Sequence, residues 1–156
     1  MYTRPVVSGV SIASVLAGVA LAGCAQMSSA PMVVAVANPC AGDELNVMVS
    51  VTSACTISID KPDLVMPQGK KNIRIRWILD ASSSQQFKFP RADGILLKDP
   101  GDHDDEQFRE RRTEGNDRRY HWCNKNSKIR RYEYQITVMK DDGTRCTPLD
   151  PWISNR

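Results

Sequence analysis

The chain has 156 residues, 41% hydrophobic and 25% charged, with 21 Lys+Arg against 18 Asp+Glu. That length suits one compact domain and excludes a multidomain enzyme. A net charge of +3 spread over so many ions gives no electrostatic case for nucleic acid. Nine Gly and nine Pro exclude collagen-like and Pro-rich chains, and the five Cys, an odd number, cannot all pair within the chain.

Residues 1–23 read as a targeting segment. Arg4 supplies a short positive region, and Pro5 to Ala22 is uncharged and rich in Val, Ile, Leu, Ala and Gly. Leu21-Ala22-Gly23-Cys24 follows, and this tetrapeptide resembles the lipobox of bacterial lipoproteins. The resemblance implies cleavage before Cys24 and lipidation of its sulfur. A plain secretory site at Ala20-Leu21-Ala22 and an uncleaved anchor are the competing readings. Lipid attachment at Cys24 implies a membrane partner through the anchor, and Ala25 in the next position implies outer-membrane sorting. Removing 23 residues from 156 leaves 133, and Arg4 is the one charge lost, so 20 basic residues face 18 acidic ones.

Residues 24–37 read as a tether, since Ala25 to Ala41 carries no charge and Ser28, Ser29 and Pro31 favour an extended, flexible spacer. The domain is placed at 38–156. Within it, period-two alternation recurs. Val47, Val49 and Val51 alternate with polar positions, and Thr56 to Ile59 repeats the pattern before Lys61-Pro62-Asp63 turns the chain. Ile73, Ile75, Trp77 and Leu79 face one way, while Arg74 and Arg76 face the other. Phe87 and Phe89 alternate likewise, and Gly94 to Leu97 is a short apolar run. Tyr132, Tyr134, Ile136 and Val138 mark a long strand, after which Asp141-Asp142-Gly143 is a hairpin turn. Leu149 to Ile153 reads as a tail that docks on the sheet through Trp152 and Ile153.

The expected fold is therefore all-β, an antiparallel β-sandwich of seven or eight short strands that resembles the immunoglobulin-like architecture without its Cys-Trp-Cys framework. With Cys24 lipidated, Cys40, Cys55, Cys123 and Cys146 form an even set for two bridges in an oxidising compartment. Position along the strands favours Cys40–Cys55 and Cys123–Cys146.

Residues 99–119 read as a charged loop: seven acids and five arginines lie between Gly101 and Tyr120, with Phe108 as the single apolar residue. Asp102, His103, Asp104, Asp105 and Glu106 are the candidate cation or partner site within it, because clustered carboxylates suit calcium. Their spacing is not that of an EF-hand. His121 reads as a strand-face residue beside Trp122, and no zinc-hydrolase, nucleophile-elbow or phosphate-loop motif is present. Lys70, Lys71, Arg74 and Arg76 form a modest basic patch, extended by Arg130 and Arg131 if their strands are neighbours. No catalytic set, metal site, cofactor or small-molecule substrate is assigned. The expected function is a non-enzymatic envelope module that contacts a protein partner, or a periplasmic binding or inhibitor module using residues 99–119.

Overall fold

The computed structural model describes residues 40–98 and 106–156. All of the described residues belong to one compact unit. There is no α-helix among the described residues; a short 3-10 turn, Ser83–Gln85, is the one helical element.

Eleven strand segments build the unit: β1 Glu44–Val51, β2 Ile57–Ile59, β3 Asp63–Val65, β4 Ile73–Leu79, β5 Phe87–Lys88, β6 Ile95–Leu97, β7 Phe108–Glu114, β8 Arg119–Asn124, β9 Arg131–Ile136, β10 Met139–Lys140 and β11 Trp152–Ser154. A five-stranded sheet runs β2-β1-β4-β8-β7, a four-stranded sheet β3-β11-β9-β6, and β10 pairs with β5. The all-β expectation holds, with more and shorter strands than the pattern suggested. The purely antiparallel arrangement needs correction: β1 runs parallel to β4, with Glu44 opposite Arg74 and Val49 opposite Leu79, and β11 runs parallel to β3. Parallel neighbours cannot be joined by a tight turn. The chain leaves β1 through β2, enters the other sheet as β3 and only then returns as β4.

Alternation decides which face each strand buries. Val47, Val49, Ile73, Ile75 and Trp77 are fully enclosed, while Arg74 and Arg76 between them are partly exposed. The inward faces of the two larger sheets meet in one aromatic core. Trp77 of β4 packs on Tyr134 of β9 with ring centroids 5.4 Å apart, and Phe108 of β7 meets Tyr132 of β9 edge-on at 5.0 Å. Trp77 Nε1 donates to the Tyr134 hydroxyl at 3.2 Å, a fully buried hydrogen bond between the sheets. Burial holds the Tyr134 hydroxyl in its neutral form and raises its pKa well above the usual tyrosine range.

The tail docks as its sequence suggested. Ile153 is fully buried, β11 pairs with both β9 and β3, and Trp152 lies under the Arg131 guanidinium at 4.3 Å. Asn155 completes the seam by accepting from Asn124 Nδ2 at 2.7 Å.

The cysteine pairing expected from position along the chain is overturned. Cys40 bonds Cys123 and Cys55 bonds Cys146, with Cα separations of 5.4 and 5.0 Å. The reason lies in the topology. Cys123 sits on β8, whose neighbours are β4 and β7 rather than the Asp141-Gly143 hairpin, and Cys55 lies in the β1–β2 turn. Each bridge spans more than 80 residues of sequence, so each constrains a long loop of the unfolded chain.

Candidate functional site

Residues 99–119, expected as a charged loop, are from Phe108 onward a β-hairpin. β7 and β8 pair with Phe108 opposite Asn124 and Glu114 opposite Arg119, with a bulge between Arg109 and Arg112. Composition hid this strand because its single apolar residue is enough to anchor it. Phe108 is buried against Trp122 and Tyr132. The charges of β7 lie on the edge of the five-stranded sheet, where charged side chains and a bulge discourage pairing with another chain. Glu110 takes the left-handed conformation at the bulge (φ 52°). Gly115, Asn116 and Asp117 do so in succession at the tip (φ 57°, 55° and 64°), where Gly and Asn are the residues least strained by it.

A cleft of about 390 Å³ opens beside this tip, lined by Arg91, Arg111, Arg112, Glu114, Asn116 and Asp117 among others. Its acids are already engaged. Thr113 donates its hydroxyl to Asp117 at 2.6 Å, and Arg91 Nε sits 3.0 and 3.1 Å from the two carboxylate oxygens. These bonds, with Thr113 the larger influence, hold the Asp117 carboxyl below the usual carboxylate range. Glu114 lies 3.1 Å from His121 Nδ1, 3.7 Å from Arg76 Nε and 3.9 Å from Arg112. Arg111 is held over the Trp122 ring at 5.3 Å. Arg112, 60% exposed at its side chain, faces the solvent.

The hairpin also completes a charged sheet face. Register sets Arg76 of β4, His121 of β8 and Arg112 of β7 in one row, and Arg74, Cys123 and Arg109 in the next. The basic patch read on β4 therefore grows through β8 and β7. It does not grow through Arg130 and Arg131, since Arg131 belongs to β9 of the other sheet and Arg130 lies over Tyr132. His121 is strand-borne beside Trp122 as expected, but fully buried on the outer face, where a polar or exposed residue is usual. Burial lowers its pKa; Glu114 opposes that, while Arg112 and Arg74 reinforce it.

The candidate residues Asp102, His103, Asp104 and Asp105 lie outside the described residues, as does Cys24. Glu106 is described and exposed. Among the described residues no group of three His, Cys, Asp or Glu is placed to hold a metal ion, and no helix is long and apolar enough to cross a membrane. The sequence pattern did not reveal Arg109 and Arg112 as partners of Arg74 and Arg76. The bulge puts these two on one face at a spacing of three rather than two, which breaks the period-two signal. No protein-family model and no curated protein matches the chain.

Proposed function

We propose that this chain is an exported lipoprotein whose disulfide-stapled β-domain, an immunoglobulin-like sandwich in its architecture, acts as a non-enzymatic interaction module of the cell envelope. The contact element is the β7–β8 hairpin. The observation that carries this reading is the arginine-lined cleft at the hairpin tip, whose acids are consumed by internal bonds while Arg112 stays exposed. Preformed, rigid elements bind with less ordering cost than flexible loops, and two long-range disulfides fix the sheet that carries this one. A protein partner with a carboxylate-rich surface complements it. The lipobox-like Leu21 to Cys24 supports the address: cleavage and lipidation at Cys24 tether the domain to the outer membrane on the periplasmic side.

Arg112→Gln tests the contact element. The expected result is loss of a co-purifying envelope partner with unchanged far-UV circular dichroism and melting temperature; retention of the partner at wild-type yield contradicts the reading. Cys24→Ala tests the address separately. The variant is expected in the soluble periplasmic fraction, and continued membrane association contradicts the lipoprotein assignment.

A further inference from the structure

Strand register defines two ends of the domain. At the near end β8 finishes with Asn124, opposite Ile73 of β4 and Phe108 of β7, and β1 begins with Glu44 opposite Arg74. The hairpin tip, where Glu114 faces Arg119, lies at the far end. Two loops close the near end, residues 67–72 and 125–130, and they are tied together. Asn126 Nδ2 donates to the carbonyls of Pro67 and Lys70 at 3.1 and 2.8 Å, and the Asn72 amide donates to the Lys125 carbonyl at 3.4 Å. The Asn155 amide donates to the Arg130 carbonyl at 2.9 Å, and Gln107 Nε2 donates to the Ser127 hydroxyl at 2.8 Å. The chain from Cys24 also enters the domain here. Cys40 is bonded to Cys123, and Gly42 packs so tightly that a Cβ on it would stand 2.5 Å from the Lys71 carbonyl oxygen.

Charge divides between the two ends. At the far end the ions are matched: Arg91 with Asp117, Arg118 with Asp141 and Arg145 with Asp93. At the near end Lys71, Lys125, Lys128 and Arg130 form no ion pair among the described residues, and Lys70 has Asp43 at 3.5 Å. Of the other acids described there, Glu44 is taken by Arg76 at 2.7 Å and Glu106 is exposed. Between Lys128 and Arg130 stands Ile129, 87% exposed. A lone exposed apolar residue is ordinary on a protein surface. This one is held out on a tied loop, flanked by unpaired cations, at the end where the chain from the lipidation motif arrives.

We propose that this end of the domain docks on an anionic bilayer surface, with Ile129 at headgroup depth and Lys70, Lys71, Lys125, Lys128 and Arg130 against the lipid phosphates. What brings the domain to a membrane is the lipid tether of the proposed function, on which this reading rests. A tether and a basic patch are the two signals that together hold a protein stably on a membrane. Long basic side chains suit the interface, because their stems lie along apolar surface while their heads stay among phosphates. The hairpin tip, at the opposite end, then projects away from the bilayer toward its partner.

The test uses the full chain carrying Ile129→Trp, floated with vesicles of phosphatidylcholine bearing brominated acyl chains, with and without admixed phosphatidylglycerol. Flotation with phosphatidylcholine alone reads the tether. Quenching of the added indole beyond the wild-type signal reads this end, so the two readings fail separately. The expected result is quenching that requires phosphatidylglycerol, is lost as salt screens the charges, and is absent when the indole is placed at the hairpin tip by Asn116→Trp. Lys128→Gln combined with Arg130→Gln is expected to lower the ratio of docked to undocked chain about 30-fold, roughly fivefold for each cation, with the melting temperature retained. Lys140→Gln combined with Arg145→Gln, at the far end, is expected to change that ratio less than about twofold, under the effect of one lost cation. Quenching with phosphatidylglycerol in a chain that does not float with phosphatidylcholine alone upholds the docking end and removes the tether. No flotation with phosphatidylglycerol present overturns the proposal. Flotation without phosphatidylglycerol-dependent quenching, equal quenching from positions 116 and 129, or equal loss from the two double variants overturns it as well.

Discussion

Tyr134→Phe removes one oxygen atom from the centre of the core and leaves the ring behind. Both partners of the bond it breaks are fully buried, and the Trp77 indole N–H loses the acceptor it uses at 3.2 Å. The volume change is too small to leave a cavity, so the cost is that of an unsatisfied buried donor, about 1–3 kcal/mol. Unfolding entropy of about 2.1 cal/mol/K per residue, taken over the unit Val36–Arg156, makes each kcal/mol worth roughly 4 °C. The melting temperature is therefore expected to fall by about 4–12 °C, read by calorimetry and checked by urea unfolding with an unchanged m-value. A double-mutant cycle isolates the bond. In a Trp77→Phe background the donor is absent, and Tyr134→Phe is expected to cost at least about 1 kcal/mol less than in the wild type. A cost within about 0.5 kcal/mol of zero in the wild-type background, the range of an inconsequential substitution, would refute the claim that this bond ties the sheets together.

Other perturbations reach different parts of the fold. His121 has its pKa lowered below the ordinary 6.5, chiefly by burial, so the unfolded chain binds the proton more readily. Stability is then full above about pH 6.5 and declines as pH falls below it; His121→Gln is expected to flatten this decline between about pH 6.5 and 4.5, above the range where Asp80, Asp117 and Asp141, all with lowered pKa, begin to contribute. A decline of equal slope in His121→Gln would assign it elsewhere. A Cβ on Gly94 meets the Pro90 carbonyl oxygen at 2.7 Å and the Tyr120 ring at 2.9 Å, and Gly94→Ala is expected to cost about 1–3 kcal/mol by overpacking, read as a drop in denaturation midpoint. Gly143→Ala gives a contrast, since nothing lies within 4 Å of its Cβ and its cost comes from the positive φ of 93° alone. A non-reduced digest is expected to yield the peptide pairs Cys40–Cys123 and Cys55–Cys146. Replacing either pair by Ser is expected to cost about 2–5 kcal/mol, measured in the same way.

Strands were legible wherever one face is apolar and the other polar. Val47 to Val51, Ile73 to Leu79 and Tyr132 to Ile136 all lie in observed strands with the expected residues inward. β7 was not legible, because a strand at a sheet edge has little to bury. One phenylalanine seats it, and the remaining charges report solvent and edge protection rather than disorder. Cysteine pairing failed for a different reason. Neighbours along a strand pattern are not neighbours across a sheet, and the parallel β1–β4 pair moves Cys40 and Cys55 toward partners more than 80 residues away. The basic face was half legible. Arg74 and Arg76 were visible on one strand, but their join to His121 and Arg112 depends on β8 and β7 lying in order beside β4.

The reading that the β7–β8 hairpin is the contact element is tested most directly by placing a photo-crosslinking amino acid at Asn116, at the hairpin tip, and at Ser58, on β2 at the opposite edge of the same sheet. Irradiation in intact cells is expected to give a discrete adduct from position 116 and none from position 58. An adduct from position 58 alone, or indistinguishable adducts from both, would contradict it.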